Sequence, residues 1–92
     1  MRLDELRCDE ETELHIWSRH RVAPREVEEA AYAAVLTLRG RDRGVYEAYG
    51  RTAAGRYLMV AVRSLGKGVA RVITARDMSH AERRRYERYA AH

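Results

Sequence analysis

The segment from Val45 to Arg76 holds three strand-like runs, "VYEAYGRT", "RYLMVAVR" and "VARVITAR", joined through "AAGR" and "SLGKG". Both connections are short and contain glycine, which predicts an antiparallel meander. In its central strand Leu58, Val60 and Val62 take one face, and Tyr57, Met59, Ala61 and Arg63 take the other. Both faces are rather apolar, so helices should cover one side of the sheet and a partner should cover part of the other. "VLTL" at 35–38 supplies the first secure strand and brings the count to four. Residues 3–8 are either a short edge strand or a lead-in.

Helical signals flank the meander. Asp9 is a suitable N-cap, acids fill the turn after it, and Leu14, Ile16 and Trp17 share a broad face up to His20. The neighbours of Trp17 mark it as a core residue rather than a stacking platform for a base. After the break at "RVAP", Pro24 takes the favoured first position of a second helix, with Glu26, Glu28 and Glu29 near its positive end. Val27, Ala30, Ala31 and Ala34 then form a small-residue face suited to a flat surface. Ser79 and Glu82 form a capping box that opens a last helix, on which Met78, Glu82, Tyr86 and Tyr89 cluster beside Arg84, Arg85 and Arg88. The expected architecture is α+β: two N-terminal helices and a C-terminal helix packed with a four-stranded, mainly antiparallel sheet. Residues 1–92 form one domain. The core of so short a chain is thin, so a partner or a homo-oligomer would add to its stability.

Charge divides the sequence. Residues 1–50 carry a net −3 and residues 51–92 a net +7, which points to an anionic partner for the second half. Seventeen of the eighteen basic residues are arginine, a planar fork suited to phosphate or carboxylate. A high-GC genome would also enrich arginine, so placement must decide. The lone Cys8 excludes an internal disulfide and suggests a reducing compartment, and its acidic neighbours Asp9, Glu10 and Glu11 argue against a nucleophile. With no long apolar run and no signal-peptide core, the cytoplasm is expected.

No metal or other cofactor is expected. His15, His20, His80 and His92 lack a ligand spacing, and there is no P-loop, dinucleotide fingerprint or nucleophile elbow. What remains is general acid–base chemistry assisted by cations, which suits metal-free RNA cleavage because RNA supplies its own 2′-OH nucleophile. His20 closes the first helix between Arg19 and Arg21, where a histidine also has an ordinary role on the terminal carbonyls. Arg71 and Arg76 have opposite strand parity, so they converge only if the strand twists or ends between them. Arg76 also has an ordinary role as a clamp on "RDMS". Arg83 can pair with Glu87 at i, i+4, whereas Arg84 and Arg88 lack an acidic partner and suit an external phosphate or an acidic protein. Arg19, Arg63, Arg83, Arg84 and Arg88 make up the expected RNA-binding set.

The stretches "SRHRVAPREVEEA", "YGRTAAGRYLMVAVR" and "RVITARDMSHAERRRYER" together resemble the BrnT family of bacterial type II toxins, which share a RelE-like ribonuclease fold. The likeness runs over roughly residues 10 to 89 and rests on motif order and spacing. It implies a small ribonuclease that cleaves mRNA. It also implies a neutralising BrnA-like antitoxin with a ribbon-helix-helix domain, and contact with operator DNA only through the complex of the two. By motif, the resemblance assigns catalytic or phosphate-binding roles to His20, Arg71, Arg76, Glu82, Arg83 and Tyr86. Arg19 and Arg21 stand where the family has lysine and glycine, Thr74 where it has serine, and Val45 near an expected arginine, with Arg43 close but out of register. The alternative reading is a non-catalytic module on the same fold that binds RNA or an antitoxin. A transcription regulator ranks lower, since no recognition helix with a supporting turn is visible.

Overall fold

The computed structural model describes residues 2–91. In chain order the elements are β1 (Glu5–Arg7), α1 (Glu10–His20), α2 (Pro24–Tyr32), β2 (Leu36–Arg39), β3 (Val45–Arg51), β4 (Tyr57–Gly66), β5 (Val69–Asp77) and α3 (His80–Ala90). The expected meander is present as β3, β4 and β5, and β2 extends it antiparallel to β3. The sheet has five strands rather than four, in the order β1-β5-β4-β3-β2. Residues 5–7 resolve the open question at the N-terminus by pairing parallel to β5 along Glu5–Val69, Leu6–Ala70 and Arg7–Arg71. Three residues carry little strand signal of their own, and their partner lies more than sixty positions away.

Strand alternation sorts the side chains into two cores. Leu58, Val60 and Val62 face α1 and α2 together with Ile16, Val22, Val27, Ala30, Val72 and Ala75. Met59 and Ala61 face the other way, with Leu36, Tyr49 and Tyr86. The cover expected from a partner on that second face therefore comes in part from the chain itself, through α3. α2 fits closely because its alanines lie on Gly50, where a Cβ would collide with the carbonyl oxygen of Ala30.

Asp9 caps α1 by accepting from the Thr12 N–H at 2.7 Å, and Pro24 opens α2 as expected. Trp17 departs from expectation, being 47% exposed, while Ile16 is fully buried. The inward stripe of α1 runs through Thr12, Ile16 and His20 at i, i+4 spacing. Trp17 lies roughly 100° round the helix from Ile16 and turns to solvent. Among the described residues no helix is long and apolar enough to cross a membrane.

Candidate active site

A fault in the β4–β5 ladder sets the site. Val62 pairs with Val72 and Ala61 with Thr74, so Ile73 is an extra residue without a cross-strand partner. Such a bulge reverses the alternation beyond it. Arg71 and Arg76, of opposite parity in a regular strand, thereby come to the same face of the sheet, the face that carries α3. Cross-strand register then defines three rows on this face. The first is Tyr49–Met59–Arg76, the second Glu47–Ala61–Thr74 and the third Val45–Arg63–Arg71. α3 covers the first row and Ala61 of the second, leaves Glu47 and Thr74 half-buried, and leaves Arg71 of the third row exposed.

In the first row Glu82 is the organising group. Its place on the sheet is fixed by the capping box, in which the Glu82 N–H donates to Ser79 Oγ at 3.2 Å and the Ser79 N–H donates to Glu82 Oε1 at 2.9 Å. Arg76 meets the same carboxylate with two donors, Nη1 to Oε1 at 2.7 Å and Nη2 to Oε2 at 3.0 Å. Nη1 also donates to the Asp77 carbonyl at 3.0 Å. The Tyr49 hydroxyl lies 2.8 Å from Glu47 Oε1 and 3.3 Å from Glu82 Oε2. The Arg76 fork first, then the Ser79 N–H and the Tyr49 hydroxyl, hold the Glu82 carboxyl down at about 2. Burial chiefly, then Glu47 and Glu82, push the Tyr49 phenol well above its ordinary range. Tyr49 thus stays protonated, and it links two carboxylates that would otherwise repel.

Glu47 is half-buried on β3 in the second row, with Ala61 of β4 on one side and Leu38 of β2 on the other. It lies two residues along the sheet from each flanking row, roughly 7 Å at the usual strand rise. Arg76 and Arg71 are therefore separated by roughly 13 Å along the sheet and do not touch. Arg63 faces Arg71 across the ladder and donates from Nη1 to the Arg43 carbonyl at 3.3 Å. Among the described residues neither Arg63 nor Arg71 forms an ion pair.

The other expected site residues fall elsewhere. Tyr86 is only 7% exposed and packs edge-on against Tyr57 with ring centroids 5.7 Å apart, so it belongs to the α3 core. Arg83 does not pair with Glu87; its guanidinium lies 3.9 Å from the Tyr57 ring centroid, while the Tyr57 hydroxyl lies 3.4 Å from Glu87 Oε2. Arg19, Arg84 and Arg88 are exposed. His20 ends α1 in the opposite layer, and among the described residues no hydrogen bond joins its side chain to Arg76 or Glu82.

The carbonyls at the end of α1 are held by Arg56 rather than by the His20 ring. Arg56 Nη2 donates to the His20 carbonyl at 3.2 Å, and Nη1 donates to the Arg21 carbonyl at 2.8 Å and to Glu26 Oε1 at 3.2 Å. Nε and Nη2 take Asp77 at 2.8 and 3.1 Å. This fork, with a smaller contribution from His20, keeps the Asp77 carboxyl below its ordinary range. Arg21, where the resemblance implies a glycine, sits at φ 53° and ψ 40°. That left-handed C-cap conformation favours glycine, and the Arg21 guanidinium rests 5.5 Å from the Trp17 ring centroid.

No protein-family model matches the chain, and no curated protein matches its sequence. Among solved structures it is similar to the crystal structure of the Brucella abortus ribonuclease toxin BrnT. The TM-score is 0.68 over 83% of this chain and 97% of that one, at 17% sequence identity. This chain has the BrnT fold. The three stretches that resemble BrnT meet at one side chain: Glu26 comes from the first, Arg56 from the second and Asp77 from the third. Much of the resemblance therefore records the frame. Half-buried Glu47 and buried Tyr49, which joins it to Glu82, are two site residues that the sequence reading misses. Their only signal is the spacing Val45–Glu47–Tyr49, which places a carboxylate on an otherwise apolar strand face.

Proposed function

We propose that the chain is a metal-independent endoribonuclease that cleaves mRNA as the toxin of a type II toxin–antitoxin pair. The observation that carries this reading is the placement of Glu47, a half-buried carboxylate on β3 whose row lies between the row of Arg76 and the row of Arg63 and Arg71. In the proposed reaction Glu47 takes the proton of the RNA 2′-OH, and the 2′-oxygen attacks the adjacent phosphorus. The bond to the 5′-oxygen breaks, that oxygen takes a proton from solvent, and a 2′,3′-cyclic phosphate remains. The Arg76 guanidinium stabilises charge that develops on the phosphoryl oxygens. Tyr49 and Glu82 act through their neighbours as positioning residues, Tyr49 on Glu47 and Glu82 on Arg76. The implied partners are the RNA substrate and a neutralising antitoxin of the ribbon-helix-helix kind.

The test is cleavage of a defined single-stranded RNA in EDTA, with the ends analysed for cyclic phosphate. Glu47→Gln should slow cleavage by ~100-fold or more, in line with loss of a general base. Arg76→Ala should slow it by a similar factor, in line with loss of charge stabilisation. Wild-type rates in both variants would sink the assignment. One observation favours the non-catalytic alternative: the two terminal nitrogens of Arg76 are already engaged by Glu82 and the Asp77 carbonyl. Tight RNA binding with no cleavage at any protein concentration would select that reading.

A further inference from the structure

The third row does not end at Arg71. Arg7 of β1 is the register partner of Arg71, as Arg63 is on the other side. Leu6 and Ala70 turn into the α1–α2 core, so Arg7 and Arg71 point together to the open face. Three arginines from three adjacent strands thus stand in one line across the sheet, spanning roughly 10 Å at the usual strand spacing. Beyond Arg63 the line reaches the β2–β3 loop, through the Arg43 carbonyl that Arg63 holds. Like charges directly opposite one another on a sheet are destabilising, and the chain does little to offset these. Among the described residues Arg7 pairs only with Glu5, and both side chains are more than half exposed, so that pair is weak and readily exchanged. Asp9, next to β1, is chiefly engaged in capping α1 and feels Arg71 only as a smaller, through-space attraction.

We infer that Arg7, Arg71 and Arg63 form a track for the phosphates that flank the cleaved one on a single-stranded RNA, holding the strand across the sheet about 13 Å from Arg76. The inference rests on the ribonuclease reading and adds to it the path of the substrate. It brings in Arg7, which no motif marks, and gives Arg71 a binding role separate from the Arg76–Glu82 centre. Bases need not be read, because backbone charge alone sets this contact.

Binding of the full chain to a 2′-O-methyl RNA oligonucleotide, which lacks the nucleophile, is measured by fluorescence anisotropy across a range of salt concentrations. Each phosphate neutralised on a single strand contributes ~0.7 to the slope of log affinity against log salt. The triple variant Arg7→Gln, Arg63→Gln, Arg71→Gln should therefore lower the slope by ~2, and the corresponding triple lysine variant should keep it. If the glutamine variant does not fold, the three single variants should each lower the slope by ~0.7. An unchanged slope, or an equal loss with lysine, overturns the track. Cleavage of the unmodified oligonucleotide is followed in parallel to separate the two ideas. A protein that cleaves with its slope unmoved by glutamine overturns the track alone. A protein that shows the expected loss of slope and never cleaves overturns the ribonuclease reading and leaves the track as a binding surface.

Discussion

Glu82 shows how one carboxylate can serve the fold and the site together. It closes the capping box of α3 and at the same time holds the Arg76 fork against the sheet. Its carboxyl sits at about 2, below the ordinary 4.5, so the folded state favours the ionised form. The sign follows directly: the stabilisation is fully present above pH ~4.5 and is lost as pH falls towards ~2. The Glu82 and Arg76 side chains are 21% and 37% exposed, so solvent screening reduces the effect. A contribution of about 2 kcal/mol is expected after that discount. Urea denaturation from pH 7 to pH 2.5 measures it. Wild type should exceed Glu82→Gln in stability at pH 7, and the gap should close over the acid range. Asp77 titrates in both proteins and drops out of the difference. A gap independent of pH would show that the ion pair does not set it.

At the scale of elements, close packing of α2 on β3 depends on the absence of a side chain at Gly50. A methyl group there would press on the helix backbone at Ala30, which cannot move aside as the end of a flexible side chain can. Gly50→Ala should therefore cost about 3 kcal/mol in a denaturation experiment, at the upper end for overpacking. Gly66→Ala makes the comparison. Gly66 has open space around its Cβ position but a φ of 88°, so only the conformational strain of about 1 kcal/mol should appear. Equal costs at the two sites would refute the packing account. The same scale explains what the sequence made legible. Pro24, the Ser79–Glu82 box and the alternation of Leu58, Val60 and Val62 are local signals, and each marks its element correctly. Trp17 misled because a short helix offers several apolar stripes, and only the docked sheet selects the one through Ile16. β1 and the bulge at Ile73 depend on pairing with distant residues, so no local pattern announces them. The bulge is what gathers the site onto one face. The placing of Arg71 and Arg76 on one face, and of Glu47 in the row between theirs, could not be read without the register.

Over the whole molecule, Arg56 ties the layers together. It belongs to the turn between β3 and β4, where buried Thr52 accepts the Arg56 N–H at 3.0 Å and fixes the turn. From there one guanidinium reaches the end of α1, Glu26 in the first turn of α2, and Asp77 at the end of β5. Asp77 is the residue whose carbonyl also receives Arg76, so the clamp supports the site as well as the frame. A chain of 92 residues has a thin core, and many residues in the α1–α2 layer are small alanines and valines. A polar clamp of this kind therefore carries an unusual share of the attachment. Lysine keeps the charge but offers a single nitrogen in place of a planar fork, so it cannot serve both carbonyls and both carboxylates. Arg56→Lys should lower stability by ~2–3 kcal/mol, given part-buried Glu26 and the helix-end carbonyls it leaves poorly paired. In a chain of this size that corresponds to a fall in Tm of ~10–20 °C. Thermal unfolding followed by circular dichroism reads it directly. A Tm within a few degrees of wild type would mean that apolar packing alone holds the layers. The expected fall would identify Glu26, Arg56 and Asp77 as the frame on which the site is carried.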